Sequence, residues 1–226
     1  MSPATDAAVA GQATTGPATT GPATAAAGLP DLLYGEAETE LRAAVRALLE
    51  DRCGWREVLA RTETAQTYDT GLWRVLAAEL GCAGLLIPES SGGAGASYRE
   101  AAVVAEETGR AVAPVPFLGS AVAATAALLA AGDDELLPGL AAGTSTVALA
   151  VPFTAAPGAR PEPTIRLGSP GDSGYRLTGT VTGIADALPA DVLLVPADGV
   201  PYGLYAVAAA DASLTPVVSW RSWPRS

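Results

Sequence analysis

The side chains available for acid, base or nucleophilic chemistry are few in kind. The 226-residue chain holds no His, no Lys and no Asn, and all 13 of its basic residues are Arg. That composition excludes imidazole triads, imidazole metal sites, Schiff-base lysines and Walker-type phosphate loops. What remains is 24 carboxylates, two thiols and a set of hydroxyls. Cys53 and Cys82 lie far apart with no CxxC spacing. They read as reduced, buried thiols, with a single disulfide as the other reading. Glu89 belongs to a Pro-Glu-Ser-Ser-Gly-Gly turn. Glu106 and Glu107 stand at the end of a predicted helix, where a solvated face is expected. Gly171-Asp172-Ser173-Gly174 reads as a turn and not a phosphate loop, because no helix follows it. The residues by themselves nominate no catalytic group and no metal ligands.

Composition narrows the partners. Hydrophobic residues make up 49 % and charged residues 16 %, a balance that favours a buried globular core. The formal charge is −11 with no basic run, so a nucleic-acid partner is not expected. The N-terminus lacks both a basic start and an apolar block, so no secretory signal is expected. The uncharged run Ala111–Ala131 contains Pro114 and Pro116 and is mostly Ala in its second half. It reads as a buried helix and not as a membrane span. A cytoplasmic protein with no membrane contact is the expectation.

The positioning elements follow from periodicity. Residues 1–30 are a low-complexity tail, in which ATTGP occurs twice; small residues with Gly and Pro bury too little surface to order. Leu41, Val45, Leu48 and Leu49 predict a helix over 36–52, with Gly54 as its stop. Asp69 is a predicted N-cap for a helix carrying Leu72, Trp73, Leu76 and Leu80, with Gly81 at its left-handed end. Gly84–Pro88 reads as a short extended segment. Ser97-Tyr98-Arg99-Glu100 is a capping box, opening a helix that turns Ala101, Val104 and Ala105 inward and ends at Gly109. An Ala-rich helix is predicted from Phe117 to Ala131, then a short one over 133–140. After that the period changes. Thr146–Val151, Thr164–Leu167, Tyr175–Val181, Asp191–Pro196 and Gly203–Ala208 read as strands, and Asp211–Val218 as the start of another. The fold class is therefore α+β: a helical domain at 31–143, then an antiparallel β-domain at 144–218. Ser219–Ser226, with Trp220 and Trp223, is an atypical tail. A frame change or stop after Val218 would give it; a Trp-anchored tail is the other reading.

From Leu41 to about Val218 the order of parts resembles the first two domains of the flavin-dependent acyl-CoA dehydrogenases. LWRVLAAELGCAGLLIPESSGGAG is similar to the family's second helix and its Pro-Glu-Glu-Tyr-Gly-Gly turn, with Ser90 and Ser91 replacing the second Glu and the aromatic. EAAVVAEETGRAVAPVPFLGS resembles the next two helices. LLPGLAAGTSTVALAV resembles the junction into the β-domain, and YRLTGTVTGIADALPADVLLVPA the strand pair that brackets the flavin. The resemblance implies 2,3-oxidation of an acyl-CoA thioester. A carboxylate removes the proton beside the carbonyl while hydride passes to FAD, and electrons leave to an electron-transfer flavoprotein. It also implies a homo- or hetero-oligomer.

The departures bear on chemistry. Where the family's flavin strand ends in Thr-Glu-Pro, this chain has Ala150-Val151-Pro152. Where the family has Trp-Ile-Thr, it has Gly183-Ile184-Ala185. Ala150, Val151, Gly183 and Ala185 are thus cofactor positions by place only, without the family's side chains. Each lost hydrogen bond to a buried ring weakens binding by about 1 kcal/mol. The family's catalytic Glu belongs to a C-terminal helical domain beyond the part this chain resembles, so no residue here inherits that role and the fold is expected to be truncated. Three readings stay open: an acyl-CoA dehydrogenase or its first part, a non-catalytic partner of a complete chain, and a truncated product with exposed apolar surface.

Overall fold

A computed structural model describes residues 33–155, 164–168, 176–198 and 203–216. From Tyr34 onward they belong to one compact unit. The expectations for the 1–30 tail, the Gly171–Gly174 turn and the 219–226 tail lie outside the described residues.

Helix α1 (Glu36–Arg52) has the predicted span, with Val45 and Leu49 buried. The Glu38 carboxylate accepts the Gly35 N–H at 2.9 Å and so satisfies a donor at the helix start. Helix α2 (Trp55–Arg61) follows Gly54 without a signal in the sequence, because it buries no residue and so carries no apolar period. Asp69 caps α3 (Thr70–Arg74) as predicted, accepting the Leu72 N–H at 2.9 Å. The helix then widens into a π-helical turn, Val75–Glu79, and closes at Gly81 with φ +70°.

The segment expected to be extended at Gly84–Pro88 is not a strand. A 3₁₀ turn over Cys82–Gly84 leads into Leu85 with φ −53° and ψ −50°. Its carbonyls need no neighbouring strand, since the returning loop satisfies them. Ala94, Ala96 and Gly95 donate to the carbonyls of Gly84, Leu85 and Ile87 at 2.9, 2.7 and 2.8 Å. The Gly-Gly pair is what allows that return. Gly92 has φ +84°, and a Cβ on Gly93 would lie 2.1 Å from the Ile87 carbonyl oxygen.

The capping box forms at α4 (Tyr98–Arg110). Ser97 Oγ accepts the Arg99 N–H at 3.1 Å, and Glu100 takes the Ser97 N–H at 2.8 Å. The predicted Ala-rich helix is present with a difference. Its first part, Phe117–Ala124, is π-helical before it becomes α5 (Thr125–Ala131). The last short helix, α6, is Leu137–Ala141 and not 133–140. Asp133 Oδ1 accepts the Glu135 N–H at 3.0 Å, so residues 133–135 form a side-chain-closed turn instead of a helix start.

Strands β1 (Val147–Leu149), β4 (Val192–Ala197) and β5 (Gly203–Ala208) form one sheet in the order β1-β4-β5. Strands β2 (Ile165–Leu167) and β3 (Leu177–Gly179) form an antiparallel pair. The α+β class stands, with helices first and strands after. One pairing departs from the antiparallel expectation: β1 runs parallel to β4, with Val147 opposite Val192. The long chain between them, which carries β2 and β3, makes a parallel return possible. Beyond β5, Ala209–Asp211 is a 3₁₀ turn and 212–216 form no strand.

Strand β4 is covered on both faces. Leu194 and Val147 pack with Leu128, Leu137 and Leu140 of the helices. Leu193 and Val195 pack with Ala148, Ala150 and Ile165 on the other side. That double burial is why the strand reads as an unbroken apolar run. Ser120, buried in the π-helical segment, accepts the Val147 N–H at 3.1 Å and ties β1 to the helices.

Candidate functional site

A cavity of about 920 Å³ opens between the helices and the loops of the β part. Thr62, Thr67 and Tyr68 enter it from the loop before α3, Ala105 and Thr108 from α4, and Val115, Phe117 and Leu118 from the segment after α4. The β part adds Phe153, the loop from Val181 to Leu188 and residues 213–216. The lining is mainly apolar with scattered hydroxyls, the usual character of a small-molecule site. Asp186 is its one carboxylate among the described residues.

Asp186 was not singled out by sequence, and it is the most constrained group in the wall. It has φ +55°, which Asp tolerates better than most residues. Its Oδ2 accepts the Gly119 N–H at 2.7 Å and its Oδ1 the Tyr68 O–H at 3.3 Å. Burial pushes its carboxyl above the ordinary range, against the pull of those two donors. Burial, with the Asp186 charge added to it, pushes the Tyr68 phenol up to about 12. Both carboxylate oxygens are engaged, so Asp186 is not a free base.

The four positions that the resemblance implies for the cofactor fall in two places. Gly183 and Ala185 line the cavity, and the Phe153 N–H donates to the Gly183 carbonyl at 2.8 Å beside a Pro152–Ile184 bridge. Ala150 is buried in the core behind the sheet. Its N–H donates to the Leu194 carbonyl and that of Val151 to the Leu149 carbonyl, each at 2.8 Å. The donors that a flavin ring would need from this strand are therefore engaged within the protein. No hydroxyl replaces them at 150, 151, 183 or 185. The cavity has the room and the apolar wall for a ring, but the side chains at 150, 151, 183 and 185 and the N–H groups of Ala150 and Val151 offer it no hydrogen-bond donor.

Glu107 overturns the solvated-face expectation. Its exposure is 0 %. Arg46 donates to it through Nε at 3.0 Å and Nη2 at 2.6 Å, Arg42 through Nη1 at 2.9 Å and Arg110 through Nε at 3.0 Å. The Arg46 guanidinium first, then those of Arg110 and Arg42, holds its carboxyl down to about 2 against the cost of burial. Glu106 does stay exposed, paired with Arg42 at 2.6 Å. The arginines four apart on α1, facing two adjacent Glu on α4, were the sequence signal for this cluster. It is structural: it binds α1 to α4 and leaves no lone pair aimed at the cavity.

Both thiols are free; Cys82 is buried as expected and Cys53 only half-buried, and burial raises both, that of Cys82 to about 12. Around the cavity mouth several large apolar side chains face water. Val112 and Phe153 are each 69 % exposed, and Leu118 and Leu188 are exposed as well. Val112 holds φ +50°, a strained conformation for a β-branched residue. Among the described residues no helix is long and apolar enough to cross a membrane.

Comparison with known proteins matches this arrangement. Residues 35–144 fit the family model described as the acyl-CoA dehydrogenase N-terminal domain. The acyl-CoA dehydrogenase IpdE2 of Mycolicibacterium smegmatis is 46 % identical over 103 residues, covering 46 % of this chain and 33 % of that protein. The acyl-CoA dehydrogenase FadE27 of Mycobacterium tuberculosis is 34 % identical over 169 residues, covering 74 % of this chain and 44 % of that protein. In the ChsE4–ChsE5 complex of Mycobacterium tuberculosis, one solved chain superposes with a TM-score of 0.67 at 29 % identity, over 79 % of this chain and 49 % of that one. The chain thus spans less than half the length of these curated relatives. On these matches the chain belongs to the acyl-CoA dehydrogenase family.

Proposed function

We propose that this chain serves the 2,3-oxidation of acyl-CoA thioesters as one part of an assembly, and that it does not perform the reaction alone. Its helical part, 31–143, and its β part, 144–218, act as two domains that wall one side of the substrate cleft. A second polypeptide supplies the catalytic carboxylate and most contacts to FAD. Electrons pass on to an electron-transfer flavoprotein.

The observation that carries this reading is the cavity itself. It is large and apolar and is lined by Gly183 and Ala185. Yet its one carboxylate is locked to Gly119 and Tyr68, and the N–H groups of Ala150 and Val151 are spent on Leu194 and Leu149. The exposed apolar rim supports a covering partner, since isolated monomers rarely leave such groups clustered. A related solved structure is the ChsE4–ChsE5 complex, which supports the same reading.

The test is purification of the chain alone and together with a dehydrogenase chain that carries the missing carboxylate. Flavin absorbance and acyl-CoA-dependent reduction of a dye are measured in both. The expected result is a colourless, inactive chain that becomes part of a yellow, active complex. A yellow, active single chain would overturn the partner requirement while leaving the reaction class intact.

A further inference from the structure

The loop Gly183–Leu188 and the helix that starts at Phe117 both line the cavity. They are 67 residues apart in sequence where they touch. The helix starts after Pro116, which has no side chain to cap it. The cap comes from elsewhere: Asp186 Oδ2 takes the Gly119 N–H at 2.7 Å. Its other oxygen takes the phenol of Tyr68, from a third part of the wall, at 3.3 Å. Residue 119 must be Gly for this to happen, since a Cβ there would lie 2.6 Å from Asp186 Oδ2 and 2.7 Å from Asp186 Cβ.

We propose that Asp186 is a positioning residue: one carboxylate that caps the Phe117 helix, holds Tyr68 and so fixes three walls of the cavity relative to one another. The left-handed backbone at Asp186 is the geometry that delivers the carboxylate to both donors. No arginine pairs with it among the described residues. Its hold is therefore directional, through two hydrogen bonds, and not a diffuse charge attraction. The inference stands whether or not the chain acts on acyl-CoA, because its readouts are those of the protein itself.

The experiment compares Asp186→Gly and Asp186→Asn with the wild-type chain by amide hydrogen exchange and by ultraviolet titration of tyrosine. Gly accepts the left-handed backbone without strain and removes only the carboxylate. Asn keeps an acceptor oxygen and removes the charge. D186G is expected to speed exchange at the Gly119 amide by about tenfold, as loss of one hydrogen bond implies. D186N should change it by less than about threefold. The core amides of Leu76 and Val104 should be unmoved in both. Tyr68 should titrate below its wild-type value in both variants, because the nearby negative charge is gone. Unchanged Gly119 exchange in D186G, or equal acceleration in D186G and D186N, would overturn the proposal. So would an unmoved Tyr68 titration, which can be read in D186N even if D186G fails to fold.

Discussion

Replacing Glu107 with Ala should loosen the α1–α4 contact more than any other single change on the surface of those helices. The substitution removes four charge-assisted hydrogen bonds at 2.6–3.0 Å from three arginines. Breaking a fully buried ion pair costs about 3–5 kcal/mol. Here the arginine side chains remain 19, 44 and 49 % exposed, so they can turn to water once released. The cost is set lower on that account, at about 2–3 kcal/mol. For a unit of this size that lowers the melting temperature by about 5–10 °C. Thermal unfolding followed by circular dichroism at pH 7 measures it. The pH dependence adds a second constraint. The folded carboxyl titrates at about 2 against an ordinary 4.5. A lowered folded pKa means that the stabilisation is complete above the unfolded value and is lost as pH falls through the folded one. Wild-type stability should therefore fall between pH 4.5 and 2, and Glu107→Gln should flatten that part of the curve. A melting temperature within about 1 °C of wild type for Glu107→Ala would mean that the cluster does not hold α1 to α4. An unchanged acid slope in Glu107→Gln would mean the same.

Other outcomes follow from single contacts. Gly93→Ala would place a Cβ against the Ile87 backbone at 2.1 Å, so denaturant unfolding should give a loss above about 2 kcal/mol. Gly119→Ala meets the Asp186 side chain as far back as its Cβ, at 2.7 Å; the same assay should give about 1–3 kcal/mol, with faster exchange at residue 119. Cys82, buried and with its thiol raised to about 12, should resist a thiol reagent until the chain unfolds, which a timed colorimetric assay reads. Replacing the exposed rim residues Phe153 and Val112 with Ser should raise the soluble concentration of the isolated chain, with stability changed by less than about 0.5 kcal/mol.

The helices were legible where one face alone is apolar or where a cap is explicit. Leu41, Val45 and Leu49 gave the register of α1, and Asp69 and Ser97 marked the starts of α3 and α4 because their side chains bond the first free N–H groups. Helix α2 was not legible, for it buries nothing. The π-helical stretch at Phe117–Ala124 was hidden too. An Ala-rich sequence has no strong period, and the Ser120 contact to β1 is a tertiary bond. At 84–88 an apolar run between turns reads as extended, while its carbonyls are in fact taken by the loop that returns at Gly95. The parallel partner of β1 depended on a connection across β2 and β3 that no local pattern encodes. Of the positions that the resemblance implies for the cofactor, Ala150 is buried in the core and Gly183 and Ala185 line the cavity. Asp186, one residue further on, stayed invisible, because its role depends on Gly119 and Tyr68, both distant in sequence.

Under the proposed function this chain walls a dehydrogenase cleft without completing it. The visible absorbance of the purified chain, read before and after mixing with excess FAD and removal of the unbound fraction, tests it most directly. No flavin should be retained by the chain alone, because the N–H groups of Ala150 and Val151 are already committed to Leu194 and Leu149. Retention of one flavin per chain, together with oxidation of an acyl-CoA by that same preparation, would contradict it.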